Sequence, residues 1–250
     1  MCILALAWQV IADRPLVLIG NRDEFFHRDA APLAEWSDSP IIAGRDLQSG
    51  GAWLGMTRTG RWAVITNYRE GKAPDADAPT RGALVADYLT STQDPLAYLE
   101  AIDQERYAGF NLIVGTLSEA AVLGNRGTPP QVLEAGLHSL SNALLDTPWP
   151  KTQRLSSGFS TLDLAGDEAV IEQAGMALLA DETKAEDAQL PHTGISTEME
   201  KVLSSIRIDS PIYGTRVSSV LLLSDQGYYF SEKTLRPVEG DTVRLQGEWA

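Results

Sequence analysis

Two apolar runs open the chain, residues 2–11 (CILALAWQVI) and 15–21 (PLVLIGN), with Ala12-Asp13-Arg14-Pro15 between them. Runs of this length and β-branched content, split by a turn-forming tetrapeptide, predict two antiparallel strands joined by a tight turn. Such a hairpin ties the amino terminus into a sheet. More strand signals follow at Ile41-Ile42-Ala43, Ala52 to Thr57 and Trp62 to Asn67, the last two linked by Arg58-Thr59-Gly60-Arg61, a hairpin connection. Residues 69–80 are rich in Ala, Pro and Asp, with a Gly and no apolar period, which predicts a surface loop. Leu84, Val85, Tyr88 and Leu89, then Leu96, Tyr98, Leu99 and Ile102 after Asp94-Pro95, repeat at helical spacing and predict two helices.

Short apolar segments at 110–117, 120–124, 131–134 and 137–141 predict an antiparallel meander, and residues 151–206 read as mainly helical with a polar loop over 182–194. Strands close the chain at Val217 to Leu223, Tyr228 to Ser231 and Val243 to Leu245. Strands, helices, strands, helices, strands is not the regular alternation of a doubly wound sheet. It predicts an α+β fold, with two antiparallel sheets stacked face to face between helical layers, as a single domain over residues 1–250.

Charge and composition narrow the function. With 20 basic against 34 acidic side chains among 250 residues, the formal charge is −14, which opposes nucleic acid as a partner because phosphate binding needs clustered Lys and Arg. The longest apolar run, Met1 to Trp8, is far too short for a membrane span and lacks the basic flank and cleavage site of a signal peptide, so a cytoplasmic protein is expected. A single cysteine excludes an internal disulfide, and nothing in the sequence requires a metal.

That cysteine is Cys2, directly after the initiator Met1. Once Met1 is removed, one residue carries a thiol that titrates near about 8.5 and an α-amine near about 7.7–8.0, so the amine can take the thiol proton without a separate histidine. A small buried strand residue is the other reading of a free cysteine. The charged run Asn21-Arg22-Asp23-Glu24 ends the second strand, which the hairpin brings alongside Cys2. Strand alternation puts Asn21 and Asp23 on one face and Arg22 and Glu24 on the other. An arginine beside Cys2 favours the thiolate, and an acid there can hold the amine.

Met1-Cys2, the Asn21 to Glu24 tetrad, Gly50-Gly51-Ala52-Trp53-Leu54-Gly55, Thr66-Asn67-Tyr68-Arg69 and Tyr213-Gly214-Thr215-Arg216, in this order, resemble the NRDE family, also called the transport and Golgi organization protein 2 family. More distantly, the layout resembles the cysteine N-terminal-nucleophile hydrolases, such as bile-salt and penicillin V amidases. That second resemblance implies a four-layer αββα sandwich and cleavage of an amide or thioester in a small carboxylate-bearing molecule. It also implies Cys2 as nucleophile, Arg22 as its activating neighbour, Asn67 and Asn142 as oxyanion donors and Arg216 as a second arginine near the nucleophile. The acid that contacts the amine in those amidases falls here on Phe25, so Asp23, in the same strand parity, takes that role, with Glu24 as the weaker substitute.

Asn21, Glu24, Trp53 and Arg69 are the candidate substrate-binding residues, and Arg45 and Arg69 join Arg22 and Arg216 as candidates for a local basic site suited to a carboxylate or propionate. The NRDE resemblance implies a rival function, intracellular heme movement or binding of an acyl-CoA-like metabolite without turnover. His27 is then the first candidate heme ligand, with Cys2, Met56 and His138 behind it, and heme is cargo rather than a required cofactor. The expected partner is therefore a small-molecule substrate or heme, and the sequence leaves the oligomeric state open.

Overall fold

A computed structural model describes residues 2–71 and 77–250; the predicted 69–80 loop lies partly outside the described residues. The opening hairpin forms as read: β1 (Cys2–Ile11) pairs antiparallel with β2 (Arg14–Phe25), with Leu4 opposite Gly20, Leu6 opposite Leu18 and Cys2 opposite Arg22. Two sheets grow from this start. One has β1 and β2 at its centre, flanked by β10 (Gly136–Leu140) on one side and by β11 (Tyr213–Leu223), β12 (Gly227–Thr234) and β13 (Thr242–Glu248) on the other. The other runs in chain order through β3 (Ala30–Glu35), β4 (Ile41–Asp46), β5 (Leu54–Thr57), β6 (Trp62–Asn67), β7 (Phe110–Gly115), β8 (Ala120–Gly124) and β9 (Thr128–Val132).

Two differences from the sequence reading concern strands. β3 carries no alternating apolar signal, because only Leu33 of its six residues is buried. β10 leaves the meander that precedes it and pairs with β1, Leu140 opposite Leu4 and Gly136 opposite Trp8. The apolar run at 137–141 does not reveal which sheet it joins, since pairing partners are set by tertiary packing.

Strand parity divides the core. Cys2, Leu4, Leu6 and Trp8 of β1 point between the sheets, where they meet Leu54, Met56, Trp62, Val64 and Ile113 of the second sheet. Trp8 and Trp62 pack across this interface with ring centroids 5.7 Å apart. Ile3, Ala5 and Ala7 point the other way, onto α3 (Pro150–Phe159) and α4 (Glu168–Leu179). The outer face of the second sheet is covered by α1 (Gly82–Thr90) and α2 (Pro95–Glu100) through Leu84, Val85, Tyr88 and Leu99. The layers are therefore helix, sheet, sheet, helix, and α5 (Thr197–Val202) closes one end through Leu203, Ile208 and Tyr213. Among the described residues no helix is long and apolar enough to cross a membrane.

One charged residue spans the two sheets. Glu232 of β12, 3% exposed, accepts the backbone N–H of Leu33 at 2.9 Å through Oε1 and the Ser219 hydroxyl at 3.2 Å through Oε2. Leu33 lies where the β3–β4 register shifts, so its N–H is spared from the ladder and needs this acceptor. Burial pushes the Glu232 carboxyl up from 4.5 to about 7, only partly offset by those donors and by the Arg22 charge. The acid thus binds its proton more tightly folded than unfolded. The contribution is fully present below pH 4.5 and is lost as pH rises through 7. Glu232→Gln mimics the protonated form, so the stability of the wild type relative to this variant should fall by about 3 kcal/mol between pH 4 and pH 8. Urea unfolding of both proteins across that range measures it; a pH-independent difference would contradict a buried, ionising clamp.

Candidate functional site

β2 runs past the apolar part of the sandwich, and its even residues there become Gly20, Arg22 and Glu24. The wedge that opens between the two sheets is a cleft of about 410 Å³, lined among others by Cys2, Arg22, Asp23, Glu24, Trp53, Asn67 and Arg216. The parity read from the sequence holds: Asn21 and Asp23 are buried on the helical side, whereas Arg22 and Glu24 are partly exposed on the cleft side.

The cleft walls come from the motifs. Gly50, at φ 77°, and Gly51 let the chain press against the first turn of α1; a Cβ on Gly51 would lie 2.4 Å from the Gly82 carbonyl carbon. That contact aligns Ala52 and Trp53 with Thr80, Arg81 and Gly82 along one side of the cleft. Opposite them, β11 bulges at Arg216, since Thr215 pairs with Asp23 and Val217 with Arg22. The bulge turns Arg216 toward the segment after β2, where Nη1 donates to the carbonyls of Phe25 and Phe26, each at 3.2 Å, and of Arg28.

Electrostatics at the nucleophile candidate are mixed. Burial pushes the Cys2 thiol up to about 11, and the Asp23 charge adds to this, while Arg22 and a backbone hydrogen bond at Asp23 act the other way. Arg22 is itself shared: its Nη2 lies 2.8 Å from Asp46 Oδ2, and Arg28 Nε reaches the same oxygen at 2.6 Å. Asp46, whose other oxygen accepts from the Gln48 and Ser49 N–H groups, aims both arginines into the cleft. Asp23 accepts from the Thr215 hydroxyl at 2.7 Å, and burial raises its carboxyl above the usual range.

Four predicted site residues lie elsewhere. Asn21 faces the helical layer, its amide donating to the carbonyls of Leu179 at 2.9 Å and Ile206 at 3.0 Å and accepting from Ser218, so it is a strut between β2 and α4 rather than a substrate contact. Arg69 is 8% exposed, paired with Glu200 at 2.5 Å and set over Trp149 with its guanidinium carbon 4.9 Å from the ring centroid, behind the cleft wall. Asn142 is buried, and its amide donates to the Asn67 carbonyl at 2.9 Å; it acts on the cleft only by fixing Asn67. His27 is exposed and stacks on Phe25, 5.5 Å between centroids, outside the cleft lining. Of the remaining heme-ligand candidates, Met56 is fully buried between the sheets, and His138 is held by Asp146 at 2.7 Å and the Glu134 carbonyl at 2.9 Å. Only Cys2 among those four lines the cleft.

The sequence reading missed Arg28, Asp46, Arg81, Lys151 and Glu232. Asp46 ends a strand in the same manner as the tetrad does, and that charge at a strand end was the available signal. Lys151 carried none, because a lysine in the first turn of a helix ordinarily faces water.

The sequence matches the family described as Transport and Golgi organisation 2 over residues 1–237. The chain belongs to the Transport and Golgi organisation 2 family. It is 34% identical to the Transport and Golgi organization 2 homolog of Mus musculus, over 92% of this chain and 90% of the relative. It is also 37% identical to the homolog of Bos taurus, over 88% and 86% of the two chains. Among solved structures it is similar to an N-acylethanolamine-hydrolyzing acid amidase ortholog from Caenorhabditis elegans, with a TM-score of 0.48, 11% identity and coverage of 88% and 92%. A mutant conjugated bile acid hydrolase from Clostridium perfringens gives 0.47, 11%, and coverage of 97% and 92%. For this family member, the tetrad and the Thr66 to Arg69 motif therefore divide between cleft residues and struts.

The assignment of Arg69 as a strut has a direct test. Glu200 also accepts from the Thr193 N–H and hydroxyl, so the pair is fixed on both sides. Glu200→Ala leaves a guanidinium that is 5% exposed without its partner and should cost about 3–5 kcal/mol in chemical unfolding. A loss below about 1 kcal/mol would mean that Arg69 is not locked by this pair.

Proposed function

We propose that this protein is a cysteine-nucleophile hydrolase or acyltransferase acting on an amide or thioester of a small carboxylate-bearing molecule. One observation carries the reading: the Cys2 thiol stands directly opposite Arg22 in the β1–β2 register, at the head of a cleft where the Asn67 side chain makes no hydrogen bond among the described residues. A thiol at about 11 is almost wholly protonated at neutral pH. Reaction therefore needs a base at the sulfur, and the α-amine that appears when Met1 is removed meets that need. Asp23, next to Arg22 and in register with Thr215, is the acid that orients the amine.

In this mechanism the thiol proton passes to the amine and sulfur bonds to the substrate carbonyl carbon, whose π pair moves onto oxygen. The Asn67 amide stabilises that oxyanion, a donor role worth roughly 3–4 kcal/mol when preorganised. When the carbonyl re-forms, the C–N or C–S bond breaks, and the leaving amine or thiol takes the proton from the α-ammonium. Water then gives a proton to the amine, adds to the thioester and releases a carboxylic acid and the free thiol. An acceptor amine in place of water makes the same site an acyltransferase. Arg216, at the cleft wall, offers a cation to the substrate carboxylate, as do Arg22 and Arg28 once a ligand competes with Asp46.

The carrier reading, with heme or an acyl-CoA-like anion held and not turned over, draws support from the arginines around the cleft and from the transport named for the family. Intact mass spectrometry separates the two. Incubation with short acyl thioesters and amides should add one acyl mass to Met1-free wild type and none to Cys2→Ala, with product formed only by the former. Turnover undiminished in Cys2→Ala, or Met1 retained on active protein, would overturn the hydrolase reading; heme binding with a Soret shift and no turnover would favour the carrier.

A further inference from the structure

Behind Asn67 and Asn142 lies a buried group of charged side chains, of which the functions above use Asp23 alone. Its least expected member is Lys151, the second residue of α3, 1% exposed. A lysine there pays twice, for loss of water and for a position at the positive end of a helix dipole. Its Nζ has one hydrogen-bond partner, Asn142 Oδ1 at 3.4 Å, although an ammonium has three N–H groups to place. Among the described residues it makes no ion pair within 4.0 Å. A surface-style lysine would swing out to water; this one is held inside.

What it is held against is the start of β1. The Ser141 hydroxyl has the Cys2 carbonyl oxygen at 3.0 Å and the same Asn142 Oδ1 at 3.1 Å to donate to, so Lys151, Asn142, Ser141 and Cys2 are successive neighbours. The charged and titratable groups around Lys151 come from every element packed there. They are Asp23 on β2, Cys2 on β1, Arg69 just beyond β6 and Glu200 on α5, with Tyr213 of β11 beside Asp23 and Arg69. Burial, then Arg69, pull the Lys151 amine down from 10.5 to about 7, while Asp23, Cys2 and Glu200 act against them. A group in this state changes charge near neutrality, next to a thiol whose own protonation decides reactivity.

We propose that Lys151 is a positioning residue for the Cys2 nucleophile: its amine and the terminal amine of Met1-free Cys2 hold one proton between them in the field of Asp23, leaving the terminal amine free to accept the thiol proton. Two amines that share the field of one carboxylate do not both stay protonated until a second negative charge appears, and the thiolate is that charge. Once the sulfur ionises, two cations face Asp23 and the thiolate, with Arg69 and Glu200 balancing each other. This inference rests on the nucleophile reading for its purpose, though not for its test.

Because Cys2 is the sole cysteine, iodoacetamide alkylation followed by intact mass reads its thiolate alone. Rates are measured from pH 5 to pH 10 on full-length wild type, Lys151→Met and Lys151→Arg. Removing the neighbouring positive charge should move the alkylation midpoint of Lys151→Met to higher pH, with alkylation at pH 7.5 slowed roughly three- to ten-fold. Lys151→Arg, which keeps the charge, should return the midpoint to or below that of wild type. A midpoint unmoved in Lys151→Met, whatever its melting temperature, would overturn the proposal. If Lys151→Met fails to fold, a midpoint shifted upward in Lys151→Arg would do the same. Wild type that alkylates with these profiles yet turns over no thioester or amide would remove the hydrolase reading and leave the Lys151 coupling standing.

Discussion

The pairing of β1 with β2 in one register sets everything else. With Leu6 opposite Leu18 and Leu4 opposite Gly20, the next pair on the same face is Cys2 and Arg22. A slip of one residue would send Leu4, Leu6 and Trp8 to the helical side and put Ile3 and Asn21 where the cleft is. The apolar half of the hairpin therefore enforces the polar half: many buried side chains between Trp8 and Leu4 hold a thiol and a guanidinium together that have little attraction of their own in this setting. Trp53 strengthens this constraint. Its ring lies over Gly20, where a Cβ would stand 2.9 Å from the Ile3 carbonyl oxygen, 3.0 Å from Leu4 Cβ and 3.2 Å from Trp53 Cη2, so a side chain at that point of β2 would press on both β1 and Trp53 beside Cys2.

Charge inside this acidic protein is distributed by the same geometry. On the cleft side, arginines are shared among carboxylates and carbonyls: Asp46 holds Arg22 and Arg28, and three carbonyls hold Arg216. These arginines line the cleft, and Arg28 is the most exposed of them, at 29% of its side chain. On the helical side, Arg69, Glu200, Asp23 and Lys151 are buried, where any change of charge is felt by all members of the group. The cleft arginines face the space a ligand would fill, whereas the helical-side group is enclosed by protein. That contrast is why motif arginines of similar sequence context end in opposite roles.

Legibility followed the range of the interaction involved. The hairpin, the parity of the Asn21 to Glu24 run and the layering of two sheets between helices depend on periods of two and of 3.6 residues, which the chain displays openly. β3 and the sheet membership of β10 do not, since the former buries only Leu33 and the latter joins β1 across more than a hundred residues. The site divides in the same way. Cys2, Arg22 and Asp23 were reachable because a short turn makes their separation calculable. Asn142, Arg69 and Lys151 meet only because the Thr66 to Arg69 segment, the end of β10 and the start of α3 are folded onto one another by Arg69 N–H to Asn142 carbonyl and Thr66 hydroxyl to Ser141 carbonyl bonds. No local pattern encodes that convergence.

Asn67 shows how one residue serves as a strut through its backbone and lines the cleft with its side chain. Its backbone carbonyl is claimed by the Asn142 amide and its strand neighbour Thr66 by Ser141, so the end of β6 is pinned on the side of Asn142. Pinning the backbone leaves the side chain to the cleft, where it makes no hydrogen bond among the described residues. A donor in that condition costs nothing to redirect when negative charge develops on a substrate oxygen, which is the requirement of preorganised stabilisation. Asn142 does not line the cleft, yet its amide holds the Asn67 backbone and its Oδ1 accepts from Lys151 Nζ. Asn67 and Asn142 thus form one layer, with the cleft on one side and the buried charges of Lys151, Asp23, Arg69 and Glu200 on the other.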